Sequence, residues 1–272
     1  MKRRSINMSL STKIKLFSAL GLAVAGLGMS VPTVAMAAQT STATTHATVA
    51  FTQDDQTPET PVDPENPSKP GDGNNPGTGN TGPLTLDYVS NFDFGAHKIS
   101  PSKQTYIASM DNANKTANFA QVTDKRAGDP KGWTLKVTEK GQLQSAKAQK
   151  ALTGAQISLT DSRAGSGLGL PANQVNVTDQ TLTPDNQAVV MNALAGSGYG
   201  LWTDAWGSKT NPGVKLTVPT GAYPEEDTYT TSLNWSLEDI PTNGGGNQNP
   251  NSPTPTTVPG GAQGAVNADQ GD

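Results

Sequence analysis

Cysteine is absent from all 272 residues, which excludes a disulfide framework, a thiolate metal site and a cysteine nucleophile. Histidine is nearly absent, with two copies. His46 lies in a stretch poor in large apolar side chains, so a Ser-His-Asp triad would have to be built on His97 alone. His97, in FGAHKIS, follows a strand end and reads as an exposed turn residue. No G-x-S-x-G, H-E-x-x-H or histidine cluster occurs. A glycosidase needs two carboxylates at a fixed separation. Glu225, Glu226 and Asp227 are instead adjacent after Pro224, and Glu238 is adjacent to Asp239, as acids of a solvated turn are. The calcium-loop pattern also fails, because in Asp111-Asn112-Ala113-Asn114-Lys115 a lysine stands where an oxygen ligand belongs. The L-P-x-T-G signal of a sortase substrate is missing too. These absences point away from an enzyme, a cofactor or a bound metal, and away from covalent anchoring by a sortase.

Apolar residues are scarce at 33%, while 29 glycines and 20 prolines are present. That is too much Gly and Pro for a chain packed throughout, so part of the sequence is predicted to be linker. The first 37 residues have a different character. Lys2, Arg3, Arg4, Lys13 and Lys15 form a basic region without an acid, residues 16–31 are apolar, and Ala35-Met36-Ala37 offers small residues to a signal peptidase. This pattern predicts a secretory signal over residues 1–37, cleaved before Ala38, rather than a membrane span of about 20 apolar residues. Losing those five of the 19 basic residues leaves 14 Lys and Arg against 23 Asp and Glu, a formal −9. So acidic a chain is repelled by nucleic acid phosphates and by other anionic polymers. Binding must then come from shape, stacking and hydrogen bonds, or from a partner protein.

Residues 38–83 contain TPETPVDPENPSKPGDGNNPGTGNTGP. Such a tract cannot bury enough surface to offset its conformational entropy and is expected to be a disordered linker. Residues 243–272 have the same composition and are read as a disordered tail. Between them, residues 84–242 have a normal single-domain length and a periodicity of two. Leu84, Leu86 and Tyr88 alternate with polar neighbours, and Phe92 and Phe94 keep the parity. The pattern repeats at Trp133, Leu135 and Val137, at Ile157 and Leu159, at Val214, Leu216 and Val218, and from Tyr229 to Leu237. Short alternating runs between Gly, Pro, Asn and Asp clusters predict an all-β, antiparallel sandwich or barrel-like domain. Residues 142–152, the one helical candidate, lack a strong apolar stripe and read as a loop or short helix.

Two tripeptides stand out, Trp133-Thr134-Leu135 in KGWTLKVTEKGQL and Trp235-Ser236-Leu237 in YTTSLNWSLEDIP. Together with GPLTLDYVSNFDFG, LTGAQISL and VKLTVPTGAYPEEDTYTTSLNWSL, they make the chain resemble the WxL-domain surface proteins of Gram-positive bacteria, which carry two distal W-x-L tripeptides. The resemblance implies non-covalent attachment to peptidoglycan on the outer face of the cell. It also implies assembly with other surface proteins, a membrane-anchored WxL-interacting protein and a sortase-anchored protein. Family members commonly end soon after the second motif, whereas this chain continues for some thirty polar residues.

Within each motif the Trp and the Leu share a strand face. Period two sends Trp133, Leu135, Trp235 and Leu237 to the core, where an indole buries about 150–250 Å². Against a glycan, the same rings would stack on sugar C–H groups. Trp202 and Trp206 sit in GSGYGLWTDAWGSKTNPG, which is too Gly-rich for a stable helix or strand and reads as a loop. There they either staple the loop to the domain or, with Tyr199, form a sugar- or protein-contacting patch. Two functions therefore stand side by side. One is a wall module recognising peptidoglycan directly. The other is a structural or adhesin subunit held at the surface by partners and facing host or neighbouring cells.

Overall fold

The structure is a computed structural model that describes residues 41–71, 73–111 and 115–239. The expected signal peptide and its cleavage site, and the tail 243–272, lie outside the described residues. The chain divides into residues 1–50 and 51–272. Of the first unit, residues 41–50 are described and are exposed without secondary structure.

The second unit is built from short strands. They are β1 (Val62–Asp63), β2 (Asn66–Pro70), β3 (Leu84–Val89), β4 (Gln104–Ile107), β5 (Asn118–Asp124) and β6 (Trp133–Glu139). Next come β7 (Gln144–Ser145), β8 (Gln156–Leu159), β9 (Ser162–Ser166), β10 (Asn176–Val177), β11 (Gln180–Thr181) and β12 (Gln187–Ala193). The last are β13 (Gly200–Ser208), β14 (Asn211–Pro212), β15 (Val214–Val218), β16 (Tyr229–Thr230) and β17 (Leu233–Glu238). Among the described residues one 3-10 turn, Ala172–Gln174, interrupts them. Residues 142–152 form a loop around β7 rather than a helix.

Three antiparallel sheets, ordered β10-β12-β6-β17, β11-β8-β15-β4 and β14-β13-β5-β3, enclose one core, with β9 also paired to β13. Each sheet turns its alternate apolar residues inward. The first contributes Trp133, Leu135, Val137 and Met191, the second Ile157, Leu159, Val214 and Leu216, and the third Ala120, Val122, Trp202 and Trp206. The all-β antiparallel expectation therefore holds.

Two expectations are corrected. The Gly-rich stretch holding Trp202 and Trp206 is strand β13, paired to β5 on one side and β9 on the other. Its glycines punctuate the strand ends instead of dissolving it. Gly198 takes positive φ just before it, Gly200 does so as its first residue, and Gly207 where it turns into β14. A side chain at Gly198 would collide with Trp133, its β-carbon only 2.8 Å from the indole nitrogen.

The Pro/Asn tract expected to be disordered is, in its second half, laid against the outer face of the β3–β5–β13 sheet. Val62 N donates to Gln121 Oε1 (2.9 Å), and Gln121 Nε2 returns a bond to Thr60 O (3.0 Å). Asn74 N (2.5 Å) and Tyr88 Oη (2.8 Å) both donate to the buried Asp111. This strap has no core of its own, as its composition dictates. It is ordered by side chains from β3 and β5, whose outer faces it covers; every residue of β5 is buried.

Candidate functional site

Trp235 lies on β17, at the edge of the first sheet, and is only partly buried. Its ring stacks on Trp206 of β13, with centroids 5.8 Å apart and planes at 30°. Phe92 meets Trp206 edge-on at 5.6 Å and 83°. The stack forms where the first and third sheets approach, and the Trp235 indole there packs against the core while remaining partly exposed.

From Trp235 a groove of about 1120 Å³ runs between the loop after β3 and the segment leading into β17. Phe92, Phe94, His97, Tyr106, Tyr229 and Trp235 line it, with Leu143, Ile157, Leu216 and Val218 beneath. The loop is open because β3 stops at Val89, so Phe92 and Phe94 keep an alternating parity without belonging to a strand. His97 lies flat on Tyr106, with centroids 3.9 Å apart at 16°, and its Nε2 is 2.5 Å from Phe94 O. His97 is exposed, as its turn context predicts.

The rim is acidic. Asp93, Glu225, Glu226 and Asp227 border the groove together with Lys98. Glu225 pairs with Lys150 at 3.2 Å. Asp227 accepts hydrogen bonds from Ser145 Oγ, from Lys147 N (2.7 Å) and from Thr228 N (2.8 Å). These donors, the serine foremost, hold its carboxyl down at about 2, so it stays an anion at any ordinary pH.

The structure separates the residues singled out from the sequence. Trp133 and Leu135 are fully buried, and the Trp133 indole donates to Gly198 O at 3.0 Å. Trp202 and Trp206 are fully buried as well, donating to Tyr199 O (3.0 Å) and to Asp204 Oδ2 (3.1 Å). None of these four offers a ligand a face in this fold, because the strands that carry them turn them into the core. The two motifs are thus unequal. Trp235 and Leu237 are partly buried and line cavities, while Trp133 and Leu135 do not. Tyr199 is 44% exposed in the turn before β13, outside the groove. Sequence reasoning missed Phe92, Phe94, Tyr106 and Tyr229 as site residues; Phe92, Phe94 and Tyr229 stand in alternating runs that could have signalled them, whereas Tyr106, in KQTYIA, carries no such signal.

Buried carboxyls mark the interior. Asp204, on β13 between the two indoles, is raised well above its ordinary value by desolvation, and its Oδ1 has no partner. Glu139 ends β6 fully buried with both oxygens unpartnered, and burial, then Asp185, lifts its carboxyl to about 7. Neither lines the groove. Among the described residues, no group of three or more His, Asp and Glu side chains is arranged to hold a metal.

The profile of a family described as WxL domain, surface cell wall-binding, matches residues 38–241. No curated protein and no solved structure matches the chain.

Proposed function

Because the chain belongs to the WxL family of surface cell wall-binding domains, we propose that it is exported by residues 1–37 and holds peptidoglycan non-covalently in the aromatic groove beside Trp235. The protein acts outside the cell, at the surface and wall, and its family is one of binding domains. In this reading the β domain with its strap, from about Thr60 to Asp239, is the wall module, and residues 243–272 are a polar appendage.

The groove itself carries the proposal. Rings that expose a face in a cleft of this size suit a glycan strand, whose sugar C–H groups stack on the negative π-face. The acidic rim favours amines on the stem peptides and disfavours anionic wall polymers. A net-acidic protein gains little from long-range attraction to the wall, so stacking has to supply the affinity.

A pull-down on protein-free sacculi tests this with the chain from Ala38 onward. The double variant Tyr106→Ala/Trp235→Ala should bind at least tenfold more weakly, equivalent to about 1.4 kcal/mol. Wild-type binding should persist in high salt, because stacking is not screened as exposed ion pairs are. Undiminished binding by the double variant would remove the groove from consideration.

The second reading, attachment through a WxL-interacting or sortase-anchored partner, draws on one other observation. Leu168 (59% exposed) lies against Gly200, beside the exposed Tyr199, outside the groove. Exposed apolar side chains of this kind suit a protein contact. Sacculi that capture the chain only when partner proteins are present would favour it.

A further inference from the structure

Two sheet edges face each other across a second cavity, and they are treated differently. The outer edge of β3 is covered by the strap. Thr78 N donates to Asp87 O (2.8 Å), Thr78 Oγ1 to Leu86 O (2.7 Å), Asn80 Nδ2 to Leu86 O (3.0 Å) and Asn75 Nδ2 to Val89 O (3.0 Å). Among the described residues the outer edge of β17 has no such cover, and β17 pairs with β6 alone. The bond from Lys140 N to Ser232 O (2.8 Å) sets the phase of that pairing. Hydrogen-bonded pairs alternate along an antiparallel ladder, so Asn234, Ser236 and Glu238 bond to β6. The backbone N–H and C=O groups of Leu233, Trp235 and Leu237 point away from it.

The cavity of about 660 Å³ along this edge is lined by Leu84, Leu86, Trp235 and Leu237, with Asn80 and Thr81 at the strap. A paired strand occupies roughly 160 Å³ per residue, from its rise, its spacing and the distance between sheets. The space therefore suits about four residues of extended chain, apolar on the side facing the lining. An unprotected edge next to such a space is a template for an added strand.

The chain carries a segment of matching character. Residues 43–51, ATTHATVAF, contain no Pro, no Gly and no Asp, Glu, Lys or Arg, in contrast to the tract that follows. They alternate, with Ala43, Thr45, Ala47, Val49 and Phe51 on one parity and mostly polar residues on the other. Their content of Thr, Val and Phe favours strand. Yet they form no secondary structure, and Val49 and Phe51 are 73% and 90% exposed. Nine extended residues reach about 30 Å against about 20 Å for β17. The segment is anchored just beyond its end, where Gln53 Nε2 donates to Lys125 O (2.7 Å) and Gln53 Oε1 accepts from Ala127 N (2.9 Å). In a chain of net acidic charge, a stretch without acids can also approach a second copy without repulsion.

We propose that the free edge of β17 receives residues 43–51 of a second copy of this chain as an added strand, with Val49 and Phe51 set against Leu84, Leu86 and Leu237. Donor segment and acceptor edge are different surfaces, so the contact is heterologous and builds head-to-tail rings or chains of molecules.

Sedimentation of the chain from Ala38 onward over a range of concentrations tests this. Wild type should form a series of oligomers. Val49→Asp/Phe51→Asp, both at exposed positions, should weaken association at least tenfold with an unchanged melting temperature. An excess of a synthetic peptide of residues 41–53 should dissolve the wild-type series. A wild type that stays monomeric throughout, whether its edge is empty or filled by its own segment, overturns the proposal. So does a series that ignores both the substitutions and the peptide. Sacculi binding by the monomeric variant is read separately, so loss of assembly and loss of wall recognition are distinguishable.

Discussion

Glu139 should make this domain more stable in acid than at neutral pH, against the usual behaviour of carboxylates. Its carboxyl is fully buried at the inward-facing end of β6, with no partner for either oxygen. The charged group facing it is Asp185, across the backbone bond from Asp185 N to Glu139 O (2.7 Å), and it repels. Burial first, and Asp185 second, lift the folded value from 4.5 to about 7. The folded state thus binds the proton more tightly than the unfolded chain. The associated stability is fully present below pH 4.5 and is lost as the pH rises through 7. The loss comes to about 3 kcal/mol, a large share of the 5–15 kcal/mol typical of a domain. For a domain of this size it corresponds to roughly 6–12 °C in melting temperature. Urea unfolding between pH 4.5 and 8.5 measures it, with Glu139→Gln as the comparison. The variant, which has no proton to lose, should erase about 3 kcal/mol of the wild-type decline. Asp87 and Asp204, also raised by burial, should leave a residual slope of the same sign. A Glu139→Gln variant with the full wild-type pH dependence would refute the reasoning.

Two further substitutions test the packing. Trp133→Ala removes a fully buried indole and its bond to Gly198 O, and should cost about 3–5 kcal/mol in urea unfolding. Gly198→Ala forces a side chain into a positive-φ site against Trp133, and should cost about 1–3 kcal/mol, read as a lowered melting temperature.

The strands that carry the two W-x-L motifs were legible because alternation over several residues leaves one solution for which face is buried. β13 was not, for two reasons. Its flanking glycines look like loop residues when their φ values are unknown, and Asp204 breaks the apolar parity between Trp202 and Trp206. Burial raises the aspartate's carboxyl well above the ordinary value, which lowers the cost of placing it in the core, and Trp206 Nε1 donates to it. The strap was illegible for a different reason. Its order depends on Gln121, 59 residues away from Val62, and local composition cannot report a partner so distant. The groove fell between these cases. Its aromatics were visible one by one, but only the end of β3 at Val89 and the edge position of β17 bring Phe92, Tyr106 and Trp235 to one cleft.

The pairing of β6 with β17 also bears on when the chain can fold. Lys136 meets Glu238 across 102 residues, and the strap, although it comes first, has to wait for β5 before anything orders it. Contacts so far apart in sequence form slowly, because loop closure precedes any gain from them. Little of this domain can lock into place while its second half is still being delivered. On the proposed export by residues 1–37, a polypeptide threaded outward from its N-terminus would stay pliable for most of its passage, with folding deferred until Leu233–Glu238 arrives to complete the first sheet.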